Sequence, residues 1–170
     1  MKKLDTSENL VKTIHLGIGS NLGNRIANIE KAKFFLLENN IDFISSSSYY
    51  ETPSWPNPIN PKFINIVLKI NSSLKPNELL NLCKSIEVKL GRKKTPKNSP
   101  RECDIDIIDF DSLILKGNLN LPHKMMHKRS FVLIPLFEIE KNWFHPIKKV
   151  NIKTLLFSLS NEDIRSIKKI

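Results

Sequence analysis

Cysteine is scarce in this chain, with Cys83 and Cys103 the only two among 170 residues. They lie too far apart for a CxxC pair and are too few for a zinc site built of thiolates. Cys83 falls on the apolar stripe of a predicted helix and Cys103 on the core side of a predicted strand. Both therefore read as buried thiols of a reducing compartment. Long apolar runs are missing too: no stretch of about 18 apolar residues exists, so none can cross a bilayer as a helix. Met1-Lys2-Lys3 opens like a secretion signal, but Asp5, Glu8 and Asn9 stand where an apolar stretch is required, and a cytoplasmic location is expected. Two familiar phosphate-binding patterns are absent. There is no GxxxxGKS/T loop, and Gly17, Gly19 and Gly23 are spaced one residue too widely for the dinucleotide fingerprint. No Ser/His/Asp pattern for nucleophilic catalysis is present either.

Acidic residues are in the minority. Lys and Arg number 27 against 17 Asp and Glu, leaving a net charge of +10. That excess calls for an anionic partner: nucleic acid, a membrane surface or a phosphorylated small molecule. The aromatics sit in apolar runs rather than interleaved with Lys and Arg, which argues against a nucleic-acid platform. Hydrophobic residues at 40% and nine Phe indicate a globular fold. The length suits one domain with a proper core. Residues 1–12 are polar without period and read as a flexible extension, with a single domain over 13–170.

Thr13 to Gly19 reads as a first strand, and Ser20 to Asn24 as a turn. Ile26, Ile29, Leu36 and Leu37 give a helical period that Asn39-Asn40 ends. Ile41 to Thr52 alternates as one strand carrying four successive serines. Pro53 to Pro61 holds four prolines and must be a stiff exposed loop, on which Trp55 is either a lid or a packing residue. Phe63 to Ile70 is the clearest strand, interrupted by polar Asn65. Pro76 opens a helix with Leu79, Cys83, Ile86 and Leu90 on one face and Gly91 behind it. Arg92 to Arg101 is a basic loop without an acidic residue. A helix is expected from near Lys128 with Pro135 inside it, and one more short helix around Leu155 to Leu159. Strands interleaved with helices imply an α/β or α+β sheet with helices packed on it.

The chemistry concentrates after Pro100. Asp104 and Asp106 fall on one face of a strand, starting roughly 6.6 Å apart, while Cys103, Ile105 and Ile107 point to the other. Ile108 and Phe110 are expected to continue the Asp face. Two like charges on a buried strand are expensive unless a cation neutralises them. Two solvated carboxylates on an edge strand are the alternative. Magnesium is held by one or two carboxylates while substrate phosphates complete its shell. Arg92 and Arg101 supply planar guanidinium groups for phosphate oxygens, and His123 and Arg129 extend the anion site. Phosphoryl-type transfer needs little beyond alignment and charge neutralisation. A phosphohydrolase could use the same Asp pair.

With these pieces in view, the chain resembles the 6-hydroxymethyl-7,8-dihydropterin pyrophosphokinase family from Ile14 to about Phe157. The stretches that carry the likeness are Gly17 to Asn24, Tyr50 to Pro53, Phe63 to Asn65, Ile86 to Arg92, Pro100 to Asp106, Leu121 to His123, and Arg129 to Glu138. The resemblance implies a ferredoxin-like core, an antiparallel-containing sheet in a three-layer α/β/α arrangement. It implies transfer of pyrophosphate from ATP to the pterin hydroxymethyl, releasing AMP, in folate biosynthesis. By position, Asp104 and Asp106 would hold two Mg2+ ions arriving with ATP, and Arg92 and Arg101 would be catalytic. Glu87, Lys94, Arg101, Ile107, His123 and Arg129 would bind ATP. Thr52, Phe63, Asn65 and Phe131 would bind the pterin. A cytoplasmic monomer acting on small molecules, with no nucleic acid and no membrane, is expected. The chain departs from the family at Asn98-Ser99, where Trp-Gly is usual, at Lys94, where Arg is common, and at Lys124, where an aromatic is common.

Overall fold

The computed structural model describes residues 10–170, so the expectation for residues 1–9 lies outside the described residues. In chain order come β1 (Lys12–Ser20), α1 (Arg25–Glu38), β2 (Asp42–Ser46), β3 (Tyr50–Thr52), β4 (Phe63–Ser72), α2 (Pro76–Lys89) and β5 (Asp104–Phe110). A single 3-10 turn (Met126–Lys128) leads into α3 (Ser130–Ile139), followed by α4 (Ile152–Phe157), α5 (Asn161–Ser166) and β6 (Lys168–Lys169). Local chemistry sets the helix ends. The Asn24 side chain accepts from the Ala27 amide to open α1, and Asn40 closes it in the left-handed region at φ 58°. Lys75 N–H donates to Glu78 Oε2 at 2.7 Å ahead of Pro76, and Gly91 at φ 106° stops α2.

The strands form one sheet in the order β5-β1-β4-β3-β6, with β2 also paired to β4, and every pairing is antiparallel. Side chains of β4 alternate. Ile64, Ile66, Leu68 and Ile70 join Ile29 and Leu36 of α1 and Leu79, Cys83 and Ile86 of α2 in one apolar cluster. Val67 points the other way and packs with Leu133 and Leu136 of α3 and Ile152 and Leu155 of α4. Each fully buried side chain of this kind contributes about 1.5–3 kcal/mol. Both cysteines are buried in the first cluster, where burial pushes the Cys83 thiol up to about 12.

Four elements differ from expectation. The strand expected over Ile41–Thr52 is two strands. Ser47 N–H donates to Val67 C=O and Ser47 Oγ accepts from Val67 N–H, both at 2.9 Å, so a side chain takes over one backbone role and breaks the pairing between β2 and β3. Phe110 does not continue the Asp face. The β1–β5 register shifts between His15 and Leu16, leaving Ile108 without an opposite residue, and beyond this bulge Asp109 faces Trp143 in the turn after α3 while Phe110 enters the first cluster. The helix expected near Lys128 starts at Ser130, behind the 3-10 turn. The tail carries α5 and β6 besides the short helix α4, and β6 pairs with β3 through Tyr50 and Glu51.

Candidate active site

Strand β5 carries the acidic pair as its alternation requires, with Ile105 and Ile107 in the core beneath. Asp104 is clamped on both oxygens. Arg92 Nη1 lies 2.6 Å from Oδ1 and Arg101 Nη2 lies 2.7 Å from Oδ2. The same Arg92 Nη1 reaches Glu87 Oε2 at 2.6 Å. Glu87, only 1% exposed, also accepts from the Ile105 amide at 2.7 Å and from Lys84 Nζ at 2.8 Å. This carboxylate thus joins α2, the start of the basic loop and β5. Asp106 is met at longer range, by Arg129 Nη1 at 3.7 Å and His123 Nε2 at 3.8 Å, and keeps 38% of its side chain open.

Burial works against ionisation throughout, and the neighbours decide the outcome. At Asp104 the charges of Arg101 and Arg92 outweigh burial and hold the carboxyl below its ordinary value, so it is ionised. Burial and the Asp104 charge together push Asp106 up. Burial likewise raises Glu87 and lowers His123, although Asp106 opposes the latter. Two carboxylates so close, with one of them destabilised as an anion, form a site that gains from an added cation. Among the described residues no group of three or more His, Cys, Asp or Glu could hold a metal by itself. The donor set is hard oxygen and incomplete, which fits magnesium delivered with phosphate oxygens.

Beside the pair opens a cleft of about 700 Å3, walled by Gly19, Thr52, Trp55, Phe63, Asn65, Arg101, Asp104, Asp106, His123, Arg129 and Phe131. Part of its lining is aromatic and polar. Asn65 Nδ2 donates to Thr52 Oγ1 at 3.0 Å, and both residues are buried. Arg101 lies over the Phe63 ring at 5.4 Å, and Arg129 over the Phe131 ring at 5.5 Å. Gly19 is required here because a Cβ would stand 2.7 Å from Asn65 Oδ1 and 3.3 Å from Phe63 Cδ1. The aromatic and amide part of this lining suits a flat heterocycle, and the acidic pair with its arginines suits a polyphosphate with its metal.

A family model described as 7,8-dihydro-6-hydroxymethylpterin-pyrophosphokinase (HPPK) matches residues 15–141. The chain belongs to the HPPK family. It is 42% identical over 142 residues to the 2-amino-4-hydroxy-6-hydroxymethyldihydropteridine pyrophosphokinase of Aquifex aeolicus (strain VF5), covering 83% of this chain and 88% of that protein. It is 36% identical over 127 residues to the protein of the same description from Methylorubrum extorquens, covering 74% and 80%. A folic acid synthesis protein of Dictyostelium discoideum is 38% identical over 149 residues, which is 87% of this chain but 22% of that longer protein. Among solved structures, wild-type Plasmodium falciparum HPPK-DHPS superposes with a TM-score of 0.72 at 16% identity, over 97% of this chain and 45% of that one. At that identity the likeness concerns the fold.

Of the residues that the resemblance to HPPK singles out, Thr52, Phe63, Asn65, Arg101, Asp104, Asp106, His123, Arg129 and Phe131 come together around the one cleft. Arg92 and Lys94 line an adjoining basic pocket that shares Asn98 and Arg101 with it. Glu87 lies behind Asp104, and the Ile107 side chain is buried in the core, away from the cleft. Asn21 is the residue that sequence reasoning passed over. Its Oδ1 accepts from the Arg101 amide at 2.8 Å, its own amide donates to Arg101 C=O at 3.1 Å, and its Nδ2 donates to Pro61 C=O at 3.0 Å. It ties the basic loop and the proline loop to the end of β1. Within a turn of Ser, Asn and Gly no sequence signal singles it out, and in the fold it is almost fully buried beside Ser20.

Proposed function

We propose that this chain transfers the pyrophosphoryl group of ATP to the hydroxymethyl oxygen of 6-hydroxymethyl-7,8-dihydropterin, giving AMP and the pterin diphosphate in folate biosynthesis. The hydroxymethyl oxygen forms a bond to the β-phosphorus, the bond from that phosphorus to the oxygen bridging to the α-phosphorus breaks, AMP leaves with the bridging oxygen, and the hydroxyl proton is released. The observation that carries this reading is a single cleft lined both by an acidic pair with its arginines and by two phenylalanines with a buried Asn–Thr pair.

Phe63 and Phe131 offer ring faces to the pterin, and Asn65 with Thr52 fixes its edge, which puts the hydroxymethyl toward Asp104 and Asp106. Those two carboxylates would hold two Mg2+ ions arriving with ATP, which neutralise charge on the transferred group. Arg92 and Arg101 must release Asp104 to do so, and their forks then turn to phosphate oxygens. Glu87 keeps Arg92 within reach as it turns. Lys94, His123 and Arg129 add positive charge along the triphosphate, and Ile107 would serve ATP through its main chain on the edge strand β5. The core is ferredoxin-like in this reading, a single domain over 13–170 in three α/β/α layers. The β1-α1-β2/β3-β4-α2-β5 order and the β5-β1-β4-β3 sheet order support it. Action as a cytoplasmic monomer belongs to the same reading. All named groups sit on one chain, and among the described residues no helix is long and apolar enough to cross a membrane.

Incubation with ATP, magnesium and 6-hydroxymethyl-7,8-dihydropterin, resolved by chromatography, should show AMP and pterin diphosphate rising in equal amounts. ADP as the product, or pyrophosphate released without the pterin, would overturn the assignment.

A further inference from the structure

Strand β3, which carries Thr52, is three residues long, with the break at Ser47 before it and the proline loop after it. It pairs with β4 from Tyr50 to Thr52 and, on its other side, with the two residues of β6. Ladders this short hold a strand weakly. Glu138 of α3 supplies further support. The Ser48 amide lies outside both ladders and donates to Glu138 Oε2 at 2.9 Å, while Ser48 Oγ donates to Oε1 at 2.7 Å. The Tyr50 hydroxyl donates to Oε2 at 3.0 Å, and Lys169 Nζ of β6 donates to Oε1 at 2.8 Å. One carboxylate thus gathers both short strands. The helix that carries it is a firm post, because its Leu133 and Leu136 are fully buried and pack with Val67 of β4. Tyr50 and Thr52 share one face of β3, and Thr52 Oγ1 accepts from Asn65 Nδ2. Glu138 itself is not among the residues walling the cleft.

We infer that Glu138 is a positioning residue for substrate: its carboxylate anchors β3 to α3 and thereby holds Thr52 Oγ1 where it meets Asn65 and the pterin edge. The inference rests on the assignment of the pterin to Thr52 and Asn65. Hydrogen bonds to a carboxylate are roughly twice as strong as those between neutral groups. Removing them frees the Ser48–Tyr50 end of β3, and Thr52 follows two residues later. Asp104 and Asp106 on β5 and the arginines of the basic loop have no bond to Glu138 and keep their places. The loss should therefore fall on pterin affinity and spare the nucleotide.

The test titrates 6-hydroxymethyl-7,8-dihydropterin by calorimetry into protein preloaded with magnesium and α,β-methylene ATP, for the wild type, E138A, T52A and the double variant. Pterin Kd should rise about tenfold in E138A and about tenfold in T52A, the loss of one hydrogen bond to substrate. With Thr52 gone, E138A should cost less than about twofold more, because both changes act through one hydroxyl. Affinity for the nucleotide alone should change less than twofold throughout. E138Q keeps one acceptor oxygen and should raise pterin Kd about threefold; should E138A not fold, E138Q replaces it in the cycle. E140Q is the control for general loosening of α3, since it removes the Lys69 ion pair at the same helix end without touching β3. It should leave pterin Kd within twofold. Wild-type pterin affinity in the Glu138 variants, losses that multiply in the double variant, or an equal loss in E140Q overturns the inference and leaves the reaction standing. Absence of pterin binding to the wild type overturns both.

Discussion

Placing a methyl group on Gly19 tests the proposed pterin wall of the cleft without replacing any group assigned to substrate. Gly19 sits in β1 opposite Asn65 of β4 and Asp104 of β5, so it lies between the two halves of the site. The added Cβ would stand 2.7 Å from Asn65 Oδ1, well inside contact distance, and 3.3 Å from Phe63 Cδ1. The phenyl ring can yield a few tenths of an ångström. The amide cannot, because its Nδ2 is fixed on Thr52 Oγ1 at 3.0 Å. Overpacking of this kind costs about 1–3 kcal/mol, and displacing Asn65 forfeits a buried hydrogen bond worth about 0.5–1.5 kcal/mol. G19A should therefore lose about 2–4 kcal/mol, which for a chain of this size lowers Tm by roughly 5–12 °C. Pterin affinity should fall with it while nucleotide affinity holds. The double-mutant cycle decides the cause. With Asn65 cut back to Ala the obstacle is gone, so G19A in the N65A background should cost under about 0.5 kcal/mol. If the two losses simply add, the clash is not with Asn65 and the reasoning fails.

Asp104→Asn and Asp106→Asn should each reduce AMP formation by about three orders of magnitude, since charge neutralisation at a transferred phosphoryl group is worth several kcal/mol. Near-normal rates in folded variants would refute the metal role. Glu87→Gln keeps an acceptor for the Ile105 amide but loses the ion pair to Arg92. A buried pair broken on one side costs about 3–5 kcal/mol, and because the Arg92 side chain is 31% exposed, about 2 kcal/mol is expected by urea denaturation. An unchanged midpoint would refute the clamp. Burial would raise Glu138, but Lys169, Ser48 and Tyr50 bond to its carboxylate and hold its pKa at about 2. A pKa lower in the folded than the unfolded chain stabilises above the ordinary carboxylate value and is lost as pH falls toward 2. Stability measured from pH 5 to 2 should decline less steeply in E138Q, by less than the full shift implies because solvent screens the pair. An unaltered slope would remove Glu138 from the acid response.

How far the sequence could be read followed from how local each cause was. Helix α1 was legible because Asn24 and Asn39-Asn40 act within a turn of the residues they cap, and α2 because Pro76 and Gly91 bracket one apolar stripe. The acidic pair was legible because strand alternation depends only on the strand itself. Register between strands does not, and there the reading failed. Whether Phe110 follows Asp106 onto the cleft face is decided by Leu16 and His15, some ninety residues earlier, through a bulge opposite them. The bulge also turns Asp109 toward the turn that follows α3, where Trp143 donates to it, and His15 Nδ1 stands 3.7 Å away. The break at Ser47 has the same character, since it needs Val67 opposite to accept and donate.

The site itself divides along the same line. Residues expected to present a charge or a ring, such as Asp104, Arg101 and Phe131, are named from type, spacing and likeness, and they meet around the one cleft. Residues whose part is to hold others could not. Asn21 looks like any turn Asn, yet it meets Arg101 and Pro61 across two loops. The Glu87 carboxylate faces Arg92, Lys84 and the Ile105 amide beneath Asp104, partners set by three separate segments. A buried anion so placed sets where Arg92 rests before phosphate arrives. The resting clamp on Asp104 is therefore as much a product of α2 as of the basic loop, and a change at Glu87 should be felt at the acidic pair through Arg92.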